Sequence, residues 1–347
     1  MSVGKLAALP VFLLTGFLGS GKTTLLSRLL RDPGFADTAV IVNELGEVGL
    51  DHVLVDRGSE EGVVLLDSGC LCCALGNSLQ ETLEDLHYRR VRGVLPPFAR
   101  VVVETTGVAD PGPIAATLLL DPAIARHYRL GGIVTTVDAV HGRAQLARFP
   151  EALRQAASAD RLVVTKGDLA DAAQISALDL RLAALNPHAM RFSAVSGAIA
   201  ADAVLVDSIA PTALAALACD REPHRMETLD QCPAGRDPDG AHDHAAHDHL
   251  ASQGIATTTL RLAAPLAWSR YAQWVEAMQK RLGDALLRVK GVVRMDDGNV
   301  YALHAAMRLF SAPLPIGEMP EGLGDGVVIV ITANASERAL EAVRSLA

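Results

Sequence analysis

Through about residue 215 the chain alternates short apolar runs with stretches of helical spacing. Val11–Leu14, Ala39–Val42, Val63–Leu66, Val101–Val103, Gly132–Val137 and Leu162–Val164 are the runs, and Thr23–Leu30, Leu79–Arg90 and Ile175–Leu185 are helical patterns between them. Strands that are apolar on both faces and separated by helices predict an α/β domain, with a mostly parallel sheet covered on both sides. In such a sheet the working groups gather at the carboxyl ends of the strands.

The pattern breaks after Leu217. Residues 219–253 are polar, carry Pro and Gly, and show no periodicity, which predicts a flexible linker. Order returns at Gly254. TTTLRLAAP reads as a strand, Trp268–Leu282 as a helix, and LLRVKGVVRM and NVYALHAAM as two strands around an Asp296-Asp297-Gly298 turn. VVIVITAN follows as a buried strand and Glu337–Leu346 as a last helix. The expectation is three segments: a nucleotide-binding domain at 1–218, a linker at 219–253, and a small α+β domain of β-α-β-β-β-α order at 254–347.

Composition narrows the function. Half of the 347 residues are hydrophobic and only 4% aromatic, which suits an Ala/Val/Leu-rich α/β protein. The formal charge of −9 argues against nucleic acid and anionic membrane as partners. No apolar run approaches the roughly 20 residues of a membrane span. The apolar start runs into a glycine-rich loop rather than a cleavage site, so it reads as a buried strand, and a cytoplasmic home is expected. Thiols stay reduced there, which makes the five cysteines ligands or reactive groups before disulfides.

VFLLTGFLGSGKTT (11–24) satisfies G-x-x-x-x-G-K-[ST] through Gly16, Gly21, Lys22 and Thr23. Glycines let backbone N–H groups curl around phosphate oxygens, Lys22 reaches the β- and γ-phosphates, and the Thr23 hydroxyl holds Mg²⁺. Gly19, Ser20 and Thr24 complete the phosphate-binding stretch, and the helix N-terminus adds its dipole. A merely Gly-rich turn is the bland alternative, and the strand before and helix after argue against it.

Two strand ends carry further chemistry. ARVVVETTG (99–107) ends in Glu104, which can hold Mg²⁺ through water or orient the attacking water, and Gly107 lets the following loop move with the γ-phosphate. RLVVTKGD (161–168) ends in Thr165, Lys166, Gly167 and Asp168. A carboxylate there can accept both N1–H and the 2-amino group of guanine, an edge that adenine lacks, which predicts GTP. The motif usually opens with Asn, and Thr165 departs from that. FSA (192–194) supplies Ser193 and Ala194 as a second guanine-side loop.

GCLCC (69–73) packs Cys70, Cys72 and Cys73 together. Neighbouring cysteines would close a strained disulfide ring, and the three lie too near one another to staple a fold. Cys70 and Cys73 have C-x-x-C spacing, so thiol exchange stays open, as does plain burial. Three thiolates from one short loop fit three corners of a tetrahedral soft-metal site, with the fourth left for water, another side chain or a receiving partner. Metal is the favoured reading.

GFLGSGKTT, NELGEVGLD (43–51), GCLCC, ETTG and TKGD occur in the order found in CobW-type GTPases, which the chain resembles. LLRVKG resembles the signature of that family's C-terminal domain. The resemblance implies a P-loop fold, GTP hydrolysis, and a transition metal on Cys70, Cys72 and Cys73 that is handed to a client metalloprotein. Zinc is the commonest metal of the family and cobalt, for cobalamin synthesis, the founding one. A nucleotide-dependent homodimer is a further expectation. Glu47 or Asp51 can serve the metal or Mg²⁺, or simply belong to a solvated acidic loop. His242, His244, His247 and His249 can scavenge Zn²⁺, Ni²⁺ or Co²⁺ weakly, or merely solubilise the linker. Rival readings are a GTP-gated metal store or regulator without a client, and an ATP-using small-molecule kinase, which Asp168 argues against.

Overall fold

A computed structural model describes residues 8–42, 63–65, 71–74, 78–208, 214, 254–306 and 309–346, with the backbone alone described for 63–65 and 71–74. Two sheets organise it. The first holds β1 (Leu9–Gly16), β2 (Thr38–Val42), β3 (Val63–Leu65), β4 (Leu71–Ala74), β5 (Arg100–Glu104), β6 (Tyr128–Asp138), β7 (Arg161–Thr165) and β8 (Met190–Ala194) in the order β3-β4-β2-β5-β1-β6-β7-β8. Every neighbouring pair is parallel except β3 and β4. The helices are α1 (Lys22–Leu29), α2 (Leu79–Val91), α3 (Pro111–Leu120), α4 (Gly142–Arg148), α5 (Pro150–Ser158), α6 (Ala172–Leu185) and the short α7 (Ala201–Val204).

The apolar runs are continuous because both faces of this sheet are covered. On β1, Phe12 and Leu14 join the cluster around Leu25, Leu26 and Leu29 of α1. Val11 and Leu13 join the opposite cluster, with Leu83 and Leu86 of α2 and Leu118 of α3. Capping sets where helices begin. Ser78 and Glu81 form a capping box on α2, Asp171 and Gln174 another on α6, and the Asp110 side chain accepts from Gly112 N–H at the start of α3.

The second sheet contains β9 (Ile255–Leu262), β10 (Leu286–Arg294), β11 (Val300–Ala306), β12 (Leu309–Phe310), β13 (Leu314–Pro315) and β14 (Gly326–Ala333), with α8 (Trp268–Arg281) and α9 (Glu337–Arg344). Its order is β12-β11-β10-β14-β9, with β13 on β11, and its named pairs are antiparallel. The expected β-α-β-β-β-α order holds with two short strands added. Residue alternation divides this sheet between two cores. Val289, Val293, Val328 and Val330 pack with Trp274 and Met278 of α8 and Val343 of α9. Val292, Val327, Ile329 and Ile331 point the other way, into a cluster with Ala156 of α5 and Leu178 and Leu182 of α6. Both faces of β14 are therefore buried, which explains its unbroken VVIVIT. Among the described residues no helix is long and apolar enough to cross a membrane. The expected linker, 219–253, lies outside the described residues.

Candidate nucleotide site

Parallel pairing brings the ends of β1, β5, β6, β7 and β8 to one edge of the sheet. Leu14 stands opposite Glu104, Gly16 opposite Thr136, Asp138 opposite Thr165, and Thr165 opposite Ala194. The P-loop rises from β1 at that edge. Gly16, Gly19 and Gly21 have φ of 144°, 71° and 90°, values that side chains other than glycine rarely adopt. A Cβ on Gly16 would also collide with the Thr136 hydroxyl and the backbone beneath it. This is a cradle of bare backbone N–H groups at a helix start, the arrangement that anions favour.

Lys22 Nζ lies 2.8 Å from Gly16 O and 3.4 Å from Phe17 O, so its ammonium sits over the cradle. Thr23 Oγ1 donates to Glu104 Oε1 at 2.9 Å. A hydroxyl and a carboxylate in contact are hard oxygen donors of the type Mg²⁺ selects, and with a nucleotide phosphate beside them they fit that ion. Ser20 shares a 2.7 Å hydrogen bond with Thr136, and Thr24 stands exposed on α1. The ETTG loop packs directly on the P-loop: a Cβ on Gly107 would come within 2.9 Å of the Leu18 backbone.

The TKGD segment reaches the same loop. Thr165 Oγ1 lies 2.7 Å from Ser20 O, so the residue that departs from the usual Asn still ties this motif to the P-loop. Lys166, in the left-handed region at φ 57°, donates to Gly19 O and to Asp138 Oδ2, each at 2.7 Å. Burial opposes the charge on Asp138, but Lys166 and the N–H groups of His141 and Val140 outweigh it and hold its pKa below the ordinary value. Asp168 projects from a 3₁₀ turn and is exposed, and a Cβ on Gly167 would meet Ser193 Oγ at 3.7 Å. The structure thus gathers Thr165, Lys166, Asp168, Ser193 and Ala194 on one flank of the P-loop.

Two residues outside the motifs, Asp138 and Gln155, and one at a variable position of the P-loop, Phe17, complete the site. Asp138 ends β6 and anchors Lys166; an acid closing an apolar strand was its signal. Phe17 stacks on Phe149 with ring centroids 4.6 Å apart. Gln155 of α5 is fully buried, and its amide donates to Ala109 O at 2.9 Å and Gly107 O at 3.3 Å, clamping the ETTG loop from below. No sequence signal separates it from an ordinary helical glutamine.

Residues 10–193 match the CobW/HypB/UreG nucleotide-binding domain, more than half of the chain. The chain belongs to the CobW/HypB/UreG family. It is accordingly a P-loop GTPase, and residues 255–343 of this CobW-family protein match the cobalamin synthesis protein cobW C-terminal domain. Zinc chaperone YjiA of Escherichia coli strain K12 is 33% identical over 304 residues, 87% of each chain. Zinc-regulated GTPase metalloprotein activator 1 of Schizosaccharomyces pombe is 29% identical over 329 residues, 90% of this chain and 78% of that one. The crystal structure of Zn(II)-bound YjiA GTPase superposes with a TM-score of 0.69 at 29% identity, covering 98% of this chain and 99% of the other.

The cysteine motif of this CobW-family chain differs in one respect from its sequence reading. Cys72 and Cys73 were expected in a loop, but their backbone lies in β4. Cys72 is in register with Val40 of β2 and Val64 of β3, and Cys73 with Ile41 and Val63. The reason is that β2 would otherwise leave a row of unpaired N–H and C=O groups at the sheet edge. Cys70, Glu47, His242, His244, His247 and His249 lie outside the described residues. Among the described residues no group of three or more His, Cys, Asp or Glu side chains could hold a metal ion.

Proposed function

We propose that the protein is a GTP-driven zinc chaperone. The phosphates of GTP rest on the N–H groups of Gly16, Gly19, Ser20 and Gly21, with Lys22 and Thr24 beside them. Thr165, Lys166, Asp168, Ser193 and Ala194 take the guanine. Thr23 and Glu104 hold Mg²⁺, which neutralises charge on the β- and γ-phosphates. Lys22 stabilises the charge that develops as water attacks the γ-phosphate, and Glu104 orients that water. Cys70, Cys72 and Cys73 bind the cargo zinc, with Glu47 as a further ligand, and the four linker histidines form a weak reservoir. A client metalloprotein receives the ion.

The observation that carries this reading is the shared ladder of β4, β2, β5 and β1. Ala74, Val42, Glu104 and Leu14 stand in one row across these strands. Three strand spacings, about 14 Å, separate the cysteine strand from the P-loop strand. A change at Glu104 is therefore one residue and two hydrogen-bonded strands from Cys73. The names of the zinc-binding relatives support zinc as the cargo.

The test is a zinc titration against a chromophoric chelator, run without nucleotide, with Mg–GDP and with a Mg–GTP analogue. Coupled sites alter zinc affinity roughly 5–150-fold between nucleotide states, and zinc alters GTP affinity by the same factor. Cys72→Ser/Cys73→Ser abolishes tight zinc binding in every state and spares nucleotide affinity. Three equal zinc affinities would refute GTP-driven delivery.

A further inference from the structure

The guanine flank and the phosphate cradle are built on one helix. α1 starts at Lys22 with Gly21 as its N-cap, so its first turn belongs to the P-loop. The segment that leaves β8 after Ala194 then lies along the same helix. Ala194 and Ala201 are fully buried in one cluster with Leu25, Leu26 and Leu29. Between them the chain reverses in four residues. Ser196 and Gly197 both take positive φ, 50° and 74°, and Ala198 N–H donates to Val195 O at 2.9 Å. Two successive left-handed residues closed by such a bond mark a type I′ turn, which favours glycine at its second central position.

Three contacts key this segment to α1 and the residues just after it. Arg28 Nε donates to Ser196 O at 3.2 Å, and Asp32 Oδ2 accepts from Ala201 N–H at 2.9 Å. Gly197 makes the closest approach: a Cβ there would stand 2.9 Å from Thr24 O and 3.2 Å from Arg28 Cγ. The first of these is helix backbone, so a side chain at 197 has to lift the turn off α1. Ala194 and Val195 carry no polar side-chain atom, so where they meet a base they offer it main-chain groups. An N–H there suits the O6 acceptor of guanine and opposes the 6-amino group of adenine.

We propose that Arg28 and Gly197 are positioning residues for base recognition. They fix the main-chain N–H groups that follow Ser193 at the distance from the P-loop at which one donates to guanine O6 while the phosphates fill the cradle. This assignment rests on the guanine reading given above, in which Asp168 takes N1–H and the 2-amino group and leaves O6 to the turn.

Gly197→Ala, Gly197→Asn and Arg28→Ala are compared with the full-length wild type by competition against a fluorescent GDP derivative, using GDP, IDP, ADP and pyrophosphate. Hypoxanthine keeps O6 and N1–H and lacks only the 2-amino group, so the GDP-to-IDP ratio reads Asp168 alone. In Gly197→Ala, GDP and IDP each weaken about tenfold, the worth of one hydrogen bond. ADP, pyrophosphate and the GDP-to-IDP ratio keep their wild-type values, and the GDP-to-ADP preference falls by the same tenfold. Gly197→Asn, in which the side chain tolerates the left-handed region but still meets Thr24 O, behaves alike. Arg28→Ala, a truncation on the exposed face of α1 that leaves the core intact, shows the same pattern at about threefold. In all three variants the KM for GTP rises while kcat changes little. Wild-type selectivity in Gly197→Asn would show that φ alone demands the glycine, and would overturn the proposal. So would an unchanged GDP-to-ADP ratio in Gly197→Ala and Arg28→Ala with the wild type preferring GDP, or a loss shared equally by ADP and pyrophosphate. A wild type indifferent between GDP and ADP would overturn the guanine reading itself, and the proposal with it.

Discussion

Thr23 Oγ1 donates to Glu104 Oε1 at 2.9 Å, joining the first turn of the P-loop helix to the end of β5. Glu104 is 6% exposed, so little water competes for its carboxylate. Glu104→Gln keeps an acceptor for the hydroxyl but removes the charge. Nucleotide affinity then changes little, while single-turnover GTP hydrolysis slows roughly a hundredfold or more. Unchanged turnover would move the water-orienting role to Asp51.

Guanine preference rests on Asp168. The wild type binds GDP at least tenfold more tightly than ADP, a difference of about 1.4 kcal/mol. Asp168→Asn shifts preference toward xanthine nucleotides, because the amide can donate to the oxygen at C2. Competition with a fluorescent GDP derivative reads both changes.

Gln155 holds the loop that follows Glu104 through two hydrogen bonds from its side-chain amide. Gln155→Leu leaves the buried Gly107 carbonyl and the part-buried Ala109 carbonyl without their donor, at a cost on the order of 2 kcal/mol in stability. The expected kinetic signature is a lowered kcat with the KM for GTP nearly unchanged. A variant that is merely less stable, with normal kcat below its unfolding temperature, would show that the clamp is structural only.

Acid stability has a defined sign at His304. Burial, then Arg288 and Lys290, depress its pKa from 6.5 to about 3 in the folded protein. Above pH 6.5 the imidazole is neutral both folded and unfolded, so this stability is fully present. As pH falls toward 3 the unfolded chain takes up a proton that the native state refuses, and stability drops by about 1.4 kcal/mol per pH unit. Denaturant midpoints between pH 6.5 and 4.5 measure the slope, and His304→Leu flattens it. His87, its pKa lowered by burial and by His127 and Arg90, acts in the same direction and still contributes in that variant.

The sheet was legible in the sequence because strands buried on both faces cannot afford polar positions. Val101–Val103 and Leu162–Val164 reappear within β5 and β7, lengthened by a residue or two. The phosphate cradle was legible for a similar reason: positive φ and close approach leave glycine little competition at Gly16 and Gly21. The α3, α4 and α5 helices were missed. Pro111–Leu120 is apolar on nearly every position, and α4 and α5 are short segments divided by Pro150, so none shows a clean 3.6-residue stripe. Asp138 and Gln155 act through tertiary contacts, which no local spacing encodes. The ion pairs of Asp160 with Arg288 and Lys290 were hidden for the same reason, the partners lying 128 and 130 residues away in sequence.

The apolar face of β10 and β14 has a consequence for dissecting the molecule. Leu178, Leu182 and Ala156 share one cluster with Val292, Val327 and Ile329. A fragment ending before Gly254 would bare that apolar surface and strand Asp160 without Arg288 and Lys290. The C-terminal sheet is thus no detachable accessory: the two halves are expected to melt in a single transition, and the isolated N-terminal half to aggregate.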